Sequence, residues 1–264
     1  MTDVVLRAEA VVREYRRKRR LFASAPPPLR AVDGVSIGVE RGRTLGIVGE
    51  SGCGKSTFAR MLVGLLTPTS GRLEIDGQSI PELARRDRRA LHRRVQMVFQ
   101  DPLGSLNPRK TVREILTAPL VALYGMGAAA CRARVAELME LVSLRADFAE
   151  RYPHEFSGGQ SQRIGIARAL AADPEVIVLD EPVSALDVSV QAQVLMLLAE
   201  LQARLGVTYV FISHDLAVVE TIAHDVAVMH AGRIVEHAPA ERIFADPQHD
   251  YTRMLLASVP HVDR

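Results

Sequence analysis

Hydrophobic residues along the chain follow two patterns: short apolar runs, and longer stretches in which apolar residues recur at helical spacing. Short runs bounded by glycine, proline or polar residues predict β-strands. The predicted strands are residues 4–12, Val32 to Val39, Thr44 to Val48, Val95 to Phe99, Val176 to Leu179 and Val207 to Ile212. Two hairpins are predicted as well, with turns at Asp76-Gly77 and Ala231-Gly232. Their strands are Leu73 to Ile75 before the first turn, and Val226 to Met229 and Ile234 to Val235 around the second.

Three stretches carry apolar residues every three or four positions, which predicts helices. They run from Ser56 to Leu66, from about Val112 to Ala172, and from Val190 to Leu205. Strands that alternate with helices predict an α/β fold with a mostly parallel, helix-covered sheet. The long helical stretch in the middle of the chain predicts an inserted helical subdomain.

The composition is that of an ordinary globular protein. The 264 residues are 48% hydrophobic and 24% charged, which suits one large domain or two modest ones. The net charge is only +2, and the chain has 30 Arg but three Lys, with the Arg spread among acidic residues. This pattern does not favour a nucleic-acid partner. A basic run at residues 16–20 precedes a proline-rich connector at Pro26-Pro27-Pro28.

Cysteine content and hydropathy bear on the compartment. Two cysteines, Cys53 and Cys131, are too few for a disulfide framework or a metal cluster, and they favour a reducing compartment. The first 20 residues contain no apolar core of a signal peptide. The longest uncharged stretch, Ile115 to Cys131, is shorter than the roughly 18 apolar residues of a spanning helix. We therefore expect that the chain does not enter the bilayer by itself.

A phosphate-binding loop is predicted between the strand that ends at Val48 and the helix that follows. The sequence matches G-x-x-x-x-G-K-[ST], a pattern in which glycines let backbone N–H groups point at phosphate oxygens. The matching residues are Gly49, Glu50, Ser51, Gly52, Cys53, Gly54, Lys55 and Ser56, with Thr57 next in the helix. We expect Lys55 to bind the β- and γ-phosphates and Ser56 to ligate Mg²⁺. The alternative, a glycine-rich turn that matches by chance, is disfavoured because the chain has only three lysines.

Polar residues follow three of the predicted strands. Asp180 and Glu181 come directly after Val176 to Leu179, at the strand end where open α/β sheets bind ligands. We expect Asp180 to hold Mg²⁺ and Glu181 to orient or deprotonate the attacking water. His214 could bond the γ-phosphate, and Gln100 could touch Mg²⁺ or water without adding charge. An acidic turn and a structural histidine are the alternatives.

The motif order resembles that of ABC ATPases over essentially the whole chain. The stretch from Phe156 to Gln160 is similar to the family's signature sequence, and Ser184 to Asp187 also follows the family's pattern. The resemblance implies a P-loop NTPase of the RecA-like type with an antiparallel β-subdomain. It implies one ABC ATPase domain, with a core at about 1–101 and 168–264 and a helical subdomain at about 102–167.

The same resemblance implies the nucleotide contacts and the cofactors, ATP and Mg²⁺. Ser157, Gly158 and Gly159, with Gln160, would cap the γ-phosphate bound by the phosphate loop of a second ATPase subunit. Ser184 to Asp187 would run along the dimer seam, and Tyr15 would stack on adenine.

Two further stretches resemble importers of oligopeptides, dipeptides and nickel: Phe99 to Arg109, and the predicted C-terminal helix His249 to Pro260. This similarity implies two transmembrane permease subunits, a second and different ATPase, and an extracytoplasmic substrate-binding protein. It places the chain at the cytoplasmic face of the plasma membrane. Two departures are noted: Ser161 stands where the family often has a longer polar or basic residue, and no cysteine follows Cys131.

Three alternatives differ in their support from the sequence. The importer could carry nickel or another small solute instead of peptides. A soluble ABC ATPase acting on DNA or ribosomes finds its best support in the Arg-rich segment at residues 85–94, which Glu82 and Asp87 dilute. A nucleotide-binding regulator without turnover conflicts with the presence of Asp180, Glu181 and His214.

Overall fold

The computed structural model describes residues 3–15, 28–101 and 103–258. The predicted basic run at residues 16–20, Pro26, Pro27, Pro102, Val259 and Pro260 lie outside the described residues. The chain divides into two compact units, one formed by Met1–Arg86 with Ile212–Arg264 and the other by Asp87–Phe211.

Strands alternate with single helices or groups of helices over much of the chain, as the sequence pattern predicts. The strands are β1 (Val4–Tyr15), β2 (Leu29–Glu40), β3 (Thr44–Val48), β4 (Ser70–Ile75), β5 (Gln78–Ser79), β6 (Val95–Val98), β7 (Val176–Asp180), β8 (Thr208–Ile212), β9 (Asp225–His230) and β10 (Arg233–Pro239). The helices are α1 (Lys55–Leu62), α2 (Ile80–Arg86), α3 (Arg88–Arg94), α4 (Val112–Tyr124), α5 (Ala128–Leu141), α6 (Gly158–Leu170), α7 (Val188–Leu205), α8 (Leu216–Ile222), α9 (Ala240–Ala245) and α10 (Asp250–Ala257). Both predicted hairpins are confirmed, as β4–β5 and β9–β10.

The first unit contains an antiparallel sheet in the order β2-β1-β4-β5. Leu6 and Ala8 of β1 are buried while Arg7 and Glu9 are exposed, and Ala8 pairs with Ile37 on one side and Leu73 on the other. The strands β1 and β2 are longer than predicted, because their pairing continues to Tyr15 and Leu29. An ion pair of 2.8 Å between Glu14 and Arg30 joins the two strands near this end.

The first unit also contains three strands in the order β10-β9-β3. β3 runs parallel to β9, and all five of its residues are buried, in keeping with the apolar residues that follow Thr44. The entry to β3 is fixed by an ion pair between Arg43 and Asp225 at 3.0 Å. It is also fixed by the Thr44 N–H, which donates to His224 Nδ1 at 3.0 Å.

The predicted helix from Ser56 to Leu66 is too long at its C-terminal end. Helix α1 ends at Leu62, and Gly64 follows in a left-handed conformation with φ 71°. The N–H groups of Leu65 and Leu66 both turn back to the Arg60 carbonyl. A left-handed glycine closes the helix in this way, which the apolar spacing does not reveal.

The second unit contains three strands in the order β8-β7-β6, where the residues of β8 up to Phe211 belong to this unit. β6 runs parallel to β7 in a register that pairs Val95 with Val176 and Val98 with Leu179. Tyr209 on β8 is fully buried and donates its hydroxyl to the Leu198 carbonyl of α7 at 3.1 Å. Its side chain therefore ties the sheet to the helix that covers it.

The predicted helical stretch from Val112 to Ala172 is not continuous. Gly125, with φ 64°, ends α4, and Ser143, with φ 55°, follows the end of α5. Two short 3-10 segments, Ala146–Glu150 and Pro153–Glu155, then lead to α6. Among the described residues, no helix has both the length and the apolar character that crossing a membrane requires.

Two glycines of helix α6 differ in the space around them, which leads to a stability prediction. A Cβ at buried Gly165 would meet no atom within 4 Å, whereas a Cβ at Gly159 would lie 2.3 Å from Val190 Cγ1. Replacing a mid-helix glycine by alanine reduces the entropy lost on folding. We expect Gly165→Ala to raise the free energy of unfolding by about 0.5–1 kcal/mol, measured by denaturant titration.

The matched variant Gly159→Ala should act in the opposite direction. Forcing a methyl group against Val190 should lower the free energy of unfolding by about 1–3 kcal/mol. Equal effects of the two substitutions would contradict the packing described here.

Candidate functional site

The phosphate loop, residues 49–56, connects β3 to α1, as predicted. Its shape needs glycine at Gly54, which has φ 116° and whose Cβ would lie 2.1 Å from the Ala31 carbonyl oxygen. The hairpin between β9 and β10 lies against the same loop, since the Gly232 N–H donates to the Cys53 carbonyl at 2.9 Å. The loop is therefore held by backbone contacts that leave no room for a side chain at position 54.

Lys55 is the first residue of α1 and is only 4% exposed. Its ammonium donates to the carbonyl oxygens of Gly49 at 2.6 Å and Glu50 at 2.9 Å. The Cys53 sulfur lies 3.9 Å from the same nitrogen. These contacts bend the lysine back over its own loop and place a positive charge at the N-terminus of α1, where the helix dipole also favours an anion.

The other predicted residues of the loop differ in exposure. Glu50, Ser51 and Gly52 are exposed, while Ser56 and Thr57 in the first turn of α1 are half-buried. The first turn of α1 carries no acidic side chain that would compete with a bound anion.

Two predicted nucleotide contacts lie elsewhere in the first unit. Tyr15 is the last residue of β1 and is 37% exposed, with the Arg13 guanidinium carbon 5.0 Å from the centre of its ring. His214 is exposed in the short segment after β8. The neighbouring Asp215 caps α8 by accepting from the N–H groups of Ala217 and Val218.

In the second unit, the acidic residues lie at the end of β7. Asp180 is the last residue of this strand and is 5% exposed, and Glu181 follows it. The parallel register pairs Val98 of β6 with Leu179 of β7, so that Gln100 and Glu181 each lie two residues beyond a matched pair. Accordingly, Gln100 Nε2 donates to a carboxylate oxygen of Glu181 at 3.0 Å. The structure thus brings together two residues that the sequence analysis selected separately.

The backbone of Glu181 adopts a left-handed conformation with φ 49°. Such a conformation is unfavourable for a residue with a side chain and persists where the surroundings impose it. The N–H and the hydroxyl of Ser184 both donate to the Glu181 carbonyl, at 3.3 and 3.1 Å. The turn after β7 therefore fixes the direction of the Glu181 side chain.

The signature segment forms the N-terminus of α6. The Ser157 hydroxyl accepts from the Gln160 N–H at 3.4 Å, and the Gln160 side chain accepts from the Ser157 N–H at 3.1 Å. This reciprocal capping box fixes the first turn of the helix. A Cβ at Gly158 would lie 3.1 Å from Leu186 Cδ2, so small residues at 158 and 159 let α6 approach the segment before α7.

Asp187 caps helix α7. Its carboxylate accepts from the Ser189 hydroxyl at 2.6 Å and from the Val190 N–H at 2.9 Å. The bond from Ser189, followed by the backbone bond from Val190, lowers the pKa of the Asp187 carboxyl below its usual value.

The sequence analysis missed one contact to the phosphate loop. Tyr251, on α10, accepts a hydrogen bond from the Glu50 N–H through its hydroxyl at 3.2 Å. No local sequence pattern connects residue 251 with the loop.

The loop between a buried parallel strand and a helix that begins with lysine defines a P-loop NTPase fold. The family described as "ABC transporter" matches residues 32–184, more than half of the chain. The C-terminal region of oligopeptide/dipeptide transporters matches residues 235–264. The chain belongs to the ABC transporter family, within the group of ATP-binding proteins related to oligopeptide and dipeptide transport.

Individual relatives agree with this assignment. The oligopeptide transport ATP-binding protein OppD of Mycobacterium tuberculosis is 51% identical over 262 residues, 99% of this chain and 43% of that protein. The dipeptide transport ATP-binding protein DppF of Haemophilus influenzae is 51% identical over 258 residues, 98% of this chain and 79% of that protein. The chain thus spans less than half the length of the mycobacterial relative.

A solved structure confirms the predicted fold class. It is the dimeric, post-hydrolysis structure of the ATP-binding cassette MJ0796 bound to ADP and Pi. It is 28% identical, with a TM-score of 0.76, and covers 89% of this chain and 98% of that chain.

A pair of loop glycines tests the geometry of the phosphate loop. Both Gly52 (φ 81°) and Gly54 (φ 116°) are left-handed, but a Cβ at Gly52 would meet no atom within 4 Å. We expect Gly52→Ala to lower the free energy of unfolding by about 1–2 kcal/mol, the strain of a left-handed alanine. Gly54→Ala should cost clearly more in the same denaturant titration, because its Cβ would overlap the Ala31 carbonyl. Equal costs would contradict this loop geometry.

Proposed function

We propose that this chain is the ATP-hydrolysing subunit of an ABC importer, which couples ATP binding and hydrolysis to the uptake of peptides. The observation that carries the proposal is the hydrogen bond between Gln100 and Glu181 at the end of β7. This bond positions the carboxylate of Glu181, a residue with a strained, left-handed backbone. The same chain also carries the buried Lys55 in its phosphate loop.

In the phosphate loop, Lys55 supplies the charge that a nucleotide needs. Its ammonium now donates to two carbonyl oxygens of its own loop. On ATP binding it would transfer these bonds to the β- and γ-phosphates, whose negative charge is a stronger acceptor. The N–H groups of the loop and of the first turn of α1, including that of Thr57, would bind the remaining phosphate oxygens.

The predicted metal ligands suit Mg²⁺ chemically. Ser56 offers a hydroxyl oxygen, Gln100 an amide oxygen and Asp180 a carboxylate, and Mg²⁺ prefers such oxygen ligands. When bound, Mg²⁺ would neutralise charge on the phosphates and polarise the γ-phosphate for attack.

Glu181 would orient the attacking water and accept its proton. The bond from Gln100 limits the directions in which this carboxylate can point. His214 would donate a hydrogen bond to the γ-phosphate, and Tyr15 would stack on the adenine through the ring face that Arg13 does not cover.

A second ATPase subunit would complete the site. Ser157, Gly158, Gly159 and Gln160 would face the γ-phosphate bound by the partner, where the N-terminus of α6 offers its N–H groups. Asp187 would lie along the dimer seam. The dimeric state of MJ0796 supports this arrangement. We propose that residues 1–264 act as one ABC ATPase domain whose helical subdomain spans about 102–167.

The assignment of peptides as the substrate depends on the relatives of this chain and not on the geometry of the site. Those at about 50% identity are named for oligopeptide or dipeptide transport, which favours peptides over nickel. The partners would be two transmembrane permease subunits, a second ATPase and an extracytoplasmic binding protein, with the chain on the cytoplasmic face of the membrane. Arg93 of the Arg-rich segment is engaged within the protein, since it bonds the Leu123 carbonyl and lies over the Tyr124 ring.

Substitution of Glu181 by glutamine tests the hydrolytic role. We expect Glu181→Gln to lower ATP turnover by about 10²–10⁴-fold, because the amide cannot accept a proton from water. ATP affinity should be retained, as measured by equilibrium binding. The matched control is Glu200→Gln, which changes an exposed carboxylate on α7 and should leave turnover unchanged. Full ATP turnover in Glu181→Gln would contradict the role of Glu181 as the proton acceptor.

Copurification tests the transport role. The tagged chain, extracted from membranes in mild detergent, should bring down two polytopic membrane proteins and a second ATPase in near-stoichiometric amounts, identified by mass spectrometry. The associated binding protein could then be screened against peptides and nickel. Recovery of ribosomal or DNA-bound partners with nothing from the membrane would overturn the importer role and leave the ATPase.

A further inference from the structure

The C-terminal helix α10 contacts the phosphate loop through one side chain. Tyr251 is 8% exposed, and its hydroxyl accepts the hydrogen bond from the Glu50 N–H at 3.2 Å. Burial raises the pKa of this hydroxyl, with the bond from Glu50 opposing the shift, so the group stays neutral and offers a lone pair.

Several contacts within the first unit fix the Tyr251 ring. It stacks on His230, at the end of β9, with ring centres 4.0 Å apart and planes inclined by 28°. The N-terminus of α10 is tied to β10, because the Glu236 carboxylate accepts from the N–H groups of Gln248 and His249 at 2.7 and 3.1 Å. The hydroxyl is therefore held in place before any ligand binds.

Tyr251 and Lys55 hold opposite sides of one peptide group. In the peptide between Gly49 and Glu50, the carbonyl accepts from Lys55 Nζ at 2.6 Å and the N–H donates to Tyr251 at 3.2 Å. These two bonds fix the orientation of the peptide plane at the start of the phosphate loop. Any ligand that draws the Lys55 ammonium away removes one of them and leaves the bond to Tyr251.

We propose that Tyr251 is a positioning residue for the nucleotide site, holding the Gly49–Glu50 peptide plane while Lys55 turns to the phosphates. This inference rests on the proposed ATPase function. It gives the C-terminal segment that matches oligopeptide/dipeptide transporters a direct part in ATP affinity. Because the contact acts through the loop backbone, it should affect nucleotide binding and not the hydrolytic step.

The variant Tyr251→Phe tests the proposal in the full chain, since it keeps the ring and its stacking and removes the hydroxyl. We expect the Kd for Mg·ATP to rise roughly threefold to tenfold, the effect of one lost hydrogen bond. The KM for ATP should rise in parallel, with kcat at saturating ATP within about twofold of wild type. The Glu50 amide should exchange its hydrogen faster in the nucleotide-bound variant than in the bound wild type.

Tyr209→Phe is the matched control, because it removes another buried tyrosine hydroxyl whose bond is to Leu198, within the second unit. It should alter thermal stability without changing the Kd. If both variants weaken binding equally, or if Tyr251→Phe binds ATP like wild type, the positioning role is overturned while the ATPase stands. If the wild-type chain itself binds no ATP, the proposed function is overturned together with this inference.

Discussion

The buried ammonium of Lys55 is the group on which the first unit's site depends. Removing a charge from water is costly unless polar partners compensate, and here the compensation comes from carbonyl oxygens of Gly49 and Glu50. Those carbonyls can point inward only because the loop folds tightly. The tight fold requires glycine at position 54, because a Cβ there would overlap the Ala31 carbonyl. The loop is thus built around a cation whose best partner is a polyanion. A triphosphate would offer full negative charge where the loop offers only dipoles.

The second unit also holds its two acidic residues in unfavourable settings, one by burial and one by backbone conformation. Asp180 is nearly buried at the end of β7, and Glu181 adopts a left-handed backbone that its side chain disfavours. Strain of this kind concentrates at functional sites, because the surrounding structure has to impose it. Here the bonds from Ser184 hold the turn and the bond from Gln100 holds the carboxylate. The second unit therefore carries backbone strain at a residue proposed to act on ATP.

Local sequence patterns predicted most of the strands and helices and the phosphate loop. The features that they did not predict have physical reasons. β7 reads as a strand because it is buried on both sides, and the phosphate loop is a contiguous motif. The extension of β1 was missed because it depends on pairing across strands, such as that of Glu14 with Arg30, and not on hydrophobic alternation. Helix α8 is too short for a periodic signal and starts at the cap of Asp215. The contact of Tyr251 with Glu50 joins residues 201 positions apart, which only the folded chain brings together.

The N-terminus of helix α6 is more firmly fixed than the body of the helix. Its N-terminus is fixed by the capping box of Ser157 and by the contact of Gly159 with Val190. One turn further, within the described part of the chain, the fully buried Ser161 hydroxyl has no hydrogen-bond partner, and a Cβ at Gly165 would meet no atom within 4 Å. An unsatisfied buried hydroxyl and a mid-helix glycine both lower stability. The Ser161 hydroxyl and Gly165 therefore lower the stability of the helix body, while the cap and the contact with α7 order its N-terminal end.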